Sequence, residues 1–107
     1  MDGKVQDSLQ NLIKDVLSSD IYKEYQKQLA RVKEQPELKA RIDEFRTRNL
    51  ALQTGENTTF EQLDSFEKEY AGFRENPLVD DFLAAELALC RLLQKLNRIL
   101  IDSIDFE

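Results

Sequence analysis

Apolar positions recur every three or four residues along nearly the whole chain, the period of helices that bury one face. Val5, Leu9, Leu12 and Val16, with Ile13 and Leu17 beside them, predict a first helix over about 4–17. Ser18, Ser19 and Asp20 interrupt that stripe, and each is fit to cap the next helix. A second helix over 20–35 carries Ile21, Tyr25, Leu29 and Val32. Pro36 suits the first turn of a third, where its missing N–H has no bond to lose. That helix, 36–54, runs through Leu38, Ile42, Phe45, Asn49 and Leu52 to Gly55, a C-cap candidate. Thr58 with Glu61, or Thr59 with Gln62, reads as a capping box opening a fourth helix over 59–75, with Phe60, Leu63, Phe66, Tyr70 and Phe73 on its stripe. Pro77 opens a fifth over 77–103, roughly 40 Å long at the α-helical rise. No polar–apolar alternation is long enough for a strand. The pattern predicts an all-α, bundle-like single domain over 1–107, five helices with a long C-terminal one.

The two prolines stand 41 residues apart, and at that offset a weak internal repeat emerges. Tyr25 matches Phe66, Leu29 matches Tyr70 and Val32 matches Phe73. Lys33-Glu34-Gln35-Pro36 matches Arg74-Glu75-Asn76-Pro77, and Ile42 matches Leu83. Each half reads as helix, proline corner, longer helix. A copy alone leaves apolar stripes uncovered, so the expectation is that the two pair in one bundle.

The fifth helix carries two stripes rather than one. Val79, Phe82, Leu83, Glu86, Cys90, Leu93, Asn97 and Leu100 form the first; Leu78, Ala85, Leu89, Leu92, Leu96 and Ile99 form the second. Such a helix is either central in its own bundle or also faces another subunit. Leu89, Leu92, Leu96, Ile99 and Phe106 are therefore candidate partner or oligomer contacts. On these stripes, an Asp at Leu89 or Leu93 is expected to abolish folding or assembly.

Two polar residues interrupt core stripes. Glu86 stands where the rhythm calls for a hydrophobe, and a buried carboxylate is costly unless paired. Arg41, Arg46 and Arg48 are candidate partners; the alternative is a polar feature of a recognition groove. Asn49 is its counterpart on the third helix, expected to be hydrogen-bonded structurally. Cys90 is expected to pack as a small hydrophobe. The aromatic row Phe60, Phe66, Tyr70 and Phe73 has helical spacing and acidic neighbours, so core packing is favoured over base stacking.

Composition narrows the chemistry. Among 107 residues there are no His, one Cys, three Gly and two Pro, with 15 Lys and Arg against 21 Asp and Glu, a net charge of −6. Histidine acid–base catalysis and Ser-His-Asp triads are excluded, as is an internal disulfide. A Gly-rich phosphate loop is not expected. The acidic field disfavours direct binding to nucleic acid. No apolar run reaches membrane-spanning length, and the first residues lack a signal peptide's apolar core, so a cytoplasmic protein without membrane insertion is expected.

Two stretches carry a family resemblance: Ile42-Asp43-Glu44-Phe45-Arg46-Thr47-Arg48-Asn49-Leu50-Ala51-Leu52-Gln53 and Asn76-Pro77-Leu78-Val79-Asp80-Asp81-Phe82-Leu83-Ala84-Ala85-Glu86. They resemble the YlbF/YmcA family of small helical bacterial proteins, which includes the YheA-like group. The resemblance spans the chain from the first helix through the fifth. It implies an all-helical, often self-associating bundle without enzymatic activity. It also implies an accessory regulator of RNA processing, competence, sporulation or biofilm formation, assembling with sister regulators and a ribonuclease. Some members are associated with iron–sulfur clusters held by cysteines of the assembled complex; with Cys90 alone, no cofactor is expected here. The expected function is a non-catalytic adaptor acting through protein contacts, and the alternative is a self-assembling structural or chaperone-like bundle.

Overall fold

The computed structural model describes residues 2–55 and 57–104. Among them are five α-helices: α1 (Gly3–Leu17), α2 (Asp20–Lys33), α3 (Pro36–Thr54), α4 (Phe60–Glu69) and α5 (Pro77–Asp102). A 3-10 turn, Phe73–Glu75, precedes α5, and no strand is present among the described residues. The all-α expectation holds.

The helix starts follow from local side-chain chemistry. Asp2 Oδ1 accepts from the Lys4 N–H at 2.8 Å, and Ser19 Oγ accepts from the Tyr22 N–H at 3.2 Å, each filling an orphan donor of a first turn. Thr59 and Gln62 form the reciprocal capping box. Pro36 and Pro77 both stand in the first turns of α3 and α5, and Asn76 Oδ1 accepts from the Leu78 N–H at 3.0 Å. Gly55 ends α3, but with an extended φ of −70° rather than a left-handed one. Glycine is suited there by crowding, because a Cβ would meet Ala51 O and Thr58 Oγ1, both at 2.9 Å.

The fourth helix differs from the expected span. It stops at Glu69 instead of running to 75, and the chain turns through Gly72 at φ 77° into the 3-10 segment. Only glycine reaches that left-handed conformation without strain. The break also sets the two halves of the chain apart: α2 runs unbroken to Lys33, whereas the corresponding stretch of the second half is split. The proline corners correspond; the helices before them do not.

The core gathers at one end of the molecule. Val32, Ile42, Phe66, Tyr70, Phe73, Val79, Phe82 and Leu83 are buried together, with Tyr25, Leu29, Leu38, Phe45, Leu52 and Leu78 packed against them. Phe45 is the hub of the aromatic part, with ring centroids 5.4 Å from Phe66, 5.1 Å from Tyr70 and 5.4 Å from Phe73. Arg41 lies over Tyr70 and Phe73, and Arg48 over Phe66 and Tyr70, so two guanidinium groups lid the cluster. Phe60 does not join its row: it is 82 % exposed at the first turn of α4.

Beyond this core the molecule is open. No residue of α1 is buried, and in α5 burial ends at Ala85. The extents are 50 × 37 × 19 Å and the radius of gyration is 17.9 Å, against about 13 Å for a compact chain of this length.

Candidate functional site

The stripe on α5 leaves the core at Glu86. Val79, Phe82 and Leu83 are buried under α2 and α3, whereas Cys90, Leu93, Asn97 and Leu100 further along the same stripe are exposed. The reason is coverage. The core gathered around the first turns of α5 does not extend along its second half, and α1 lies beside that half without closing on it. The expectation of a packed Cys90 is thereby corrected: its thiol is exposed.

The result is an apolar groove of about 550 Å³ between α1 and the end of α5. Leu9, Leu12, Ile13, Val16 and Leu17 form one wall; Leu93, Leu96, Asn97, Ile99, Leu100 and Ser103 form the other. No wall residue carries a charge. Leu12 is 43 % and Leu93 50 % exposed, and they stand in one patch with the other wall residues. The charges of these helices, such as Lys14 and Asp15 or Lys95 and Arg98, are absent from the walls. Large contiguous apolar patches of this kind mark interaction surfaces.

Of the candidate contacts, Leu96 and Ile99 line this groove. Leu89 and Leu92 are half-buried on α5 and are not part of its walls, and Phe106 lies outside the described residues. The α1 wall was not foreseen. Its stripe was legible, but a stripe reports an apolar face and not whether anything covers it.

The two odd polar residues share a second, polar groove with Asp43, Arg46, Cys90 and Gln94. Glu86 Oε2 lies 2.7 Å from Arg46 Nη2, so one of the three candidate arginines is its partner. That oxygen is closed to solvent and sits off the line of the guanidinium N–H, an ion contact without an aligned hydrogen bond. Arg46 also approaches Asp43 at 3.5 Å. Asn49, half-buried, accepts at Oδ1 from Gln53 Nε2 at 3.5 Å, a long bond within α3. A buried polar residue that the periodicity did not single out is Gln28, which donates to Glu24 at 2.7 Å and accepts from Arg31 at 2.6 Å. Arg31 in turn reaches Asp81 at 3.3 Å and ties α2 to α5.

Arg48 is pushed above its ordinary pKa by its hydrogen bond to Glu69, which only reinforces its cationic form. Among the described residues, no three His, Cys, Asp or Glu side chains converge as a metal set. The iron–sulfur cluster implied for some similar proteins requires several thiolates. Cys90 supplies one, so the residues of this chain do not by themselves fit that group.

A family model described as control of competence regulator ComK, YlbF/YmcA, matches residues 5–105. The chain belongs to the YlbF/YmcA family. That family is a regulatory one by its description, and the match takes in both the core and the open α1–α5 face. Among curated relatives, a UPF0342 protein of Staphylococcus saprophyticus is 30 % identical over 91 residues, covering 81 % of this chain and 80 % of the relative. A UPF0342 protein of Caldicellulosiruptor bescii is 25 % identical over 93 residues, covering 83 % and 78 %. A third, from Staphylococcus epidermidis, is 28 % identical over 91 residues, covering 81 % and 80 %. No solved structure matches. Among the described residues, no helix is long and apolar enough to cross a membrane.

Proposed function

We propose that this YlbF/YmcA protein is a non-catalytic regulator that works by docking other polypeptides, and that the α1–α5 apolar face is a docking surface. One observation carries the reading: an uncharged groove, walled by two helices, stands open in a chain of which 34 % of the residues are charged. An amphipathic helix seated in such a groove buries its apolar face by the ordinary helix-in-groove mode. The family description supports a regulatory output on competence. The resemblance adds sister regulators and a ribonuclease as partners, in the cytoplasm. The net charge of −6 favours action on RNA through such a partner rather than by direct binding. The composition supports a protein with neither catalysis nor a cofactor of its own.

The test is genetic and biochemical together. In a host whose competence depends on this gene, Leu93→Asp is expected to lower a competence reporter at least tenfold while the protein stays at its normal level. Full reporter activity in the presence of Leu93→Asp contradicts the reading.

A further inference from the structure

We infer that the polar groove between α3 and α5 binds an extended, basic segment of another polypeptide and grips it by its main chain. This site is separate from the α1–α5 apolar face.

Spacing is the first argument. The groove has a volume of about 790 Å³. Asn49 and Gln53 stand four residues apart on its α3 wall, and Glu86, Cys90 and Gln94 follow one another at the same interval on its α5 wall. Four residues of helix rise about 6 Å. Two residues of extended chain rise about 6.6 Å. A segment laid along the groove therefore offers each wall an equivalent main-chain group at nearly the pitch of the wall's own side chains.

The second argument is what the walls are made of. A side-chain carboxamide carries the donor and the acceptor of a peptide bond. Those of this groove are loosely held: Asn49 and Gln53 share one long bond of 3.5 Å, and Gln94 is exposed. A helical ligand has already bonded its main-chain groups within itself. An extended one keeps them free and sends its side chains alternately to either side. A helix would also need an apolar seam to lie on, and the lining has one aliphatic residue, Leu50.

Charge is the third. Asp43 is engaged by Lys39 at 2.6 Å and approached by Arg46, whereas Glu86 meets Arg46 without an aligned hydrogen bond. A Lys or Arg of the ligand beside Glu86 supplies the donor that this carboxylate lacks. The net charge of −6 draws a cationic segment toward the chain and repels a phosphate backbone.

A displayed library of random twelve-residue peptides, panned on the full chain and depleted on the variant Asn49→Ala/Gln53→Ala/Gln94→Ala, tests this. Enriched peptides are expected to hold more Lys and Arg than the library and to bind the variant at least tenfold more weakly. At saturation they are expected to slow alkylation of Cys90, the thiol inside the groove, at least tenfold. Methylating every second main-chain nitrogen is expected to weaken binding tenfold in one register and little in the other, a difference that charge alone does not produce. Leu12→Ser, on the apolar face, is expected to bind these peptides as the natural chain does, which keeps the two sites apart. If the triple variant loses helicity, Gln94→Ala takes its place, with a threefold loss expected. A library with no peptide enriched over the depletion overturns the inference. So do enriched peptides that are acidic, that tolerate methylation in both registers, or that leave the alkylation of Cys90 unchanged.

Discussion

Glu86 and Arg46 show how a polar residue sits on an apolar stripe. The carboxylate is 20 % exposed and its partner 42 %, and their contact at 2.7 Å lacks an aligned hydrogen bond. A contact this open adds little stability by itself, while removing one partner leaves the other charge poorly solvated. Arg46→Ala is expected to lower stability by about 1 kcal/mol, and Arg46→Met with Glu86→Leu to restore or exceed the original, in urea titrations at one fixed protein concentration. A double variant weaker than Arg46→Ala contradicts this. An arginine partner for Glu86 was one of the readings the sequence offered, since a carboxylate among hydrophobes is costly unless paired. The exposure of Cys90 and Phe60 was not. Both lie on stripes with faultless spacing, and spacing is silent about coverage.

At the scale of elements, the starts of the helices were legible because caps are local: Ser19, Thr59 with Gln62, and the two prolines act through atoms three residues away or nearer. The break in the fourth helix was not, because the apolar rhythm continues through Tyr70 and Phe73 while the backbone turns at Gly72 between them. That turn lets Phe73 join Phe45 and Tyr70 without α4 continuing. Gly72→Ala is therefore expected to lower stability by about 1–2 kcal/mol, the strain of a left-handed residue with a Cβ. Space is not the cause, since the nearest atom to that Cβ is Glu75 Oε2 at 3.6 Å. Gly3→Ala, which meets nothing within 4 Å in the first turn of α1, serves as the control and is expected to be neutral or stabilising. Equal urea midpoints for the two variants contradict the assignment.

At the scale of the molecule, a tight aromatic core and a splayed pair of arms coexist in one chain. The core, from Val32 to Leu83, is satisfied within the chain. The arms, α1 and the second half of α5, are amphipathic helices whose apolar faces meet each other only across a groove. Two stripes on the fifth helix already pointed either to a central position or to a second subunit. Along its length the first turns are central and the last turns are uncovered. On the proposed reading the tasks are separate: the core fixes α5, and α5 with α1 presents the docking surface. Hydrogen exchange at the backbone amides of Val5–Leu17 tests this most directly. The account predicts fast exchange in the protein alone, slowed when a docking polypeptide is added, and no slowing in Leu93→Asp, while α2 and Val79–Ala85 stay protected throughout. Amides of α1 that ignore the added polypeptide, or that slow equally in Leu93→Asp, would contradict it.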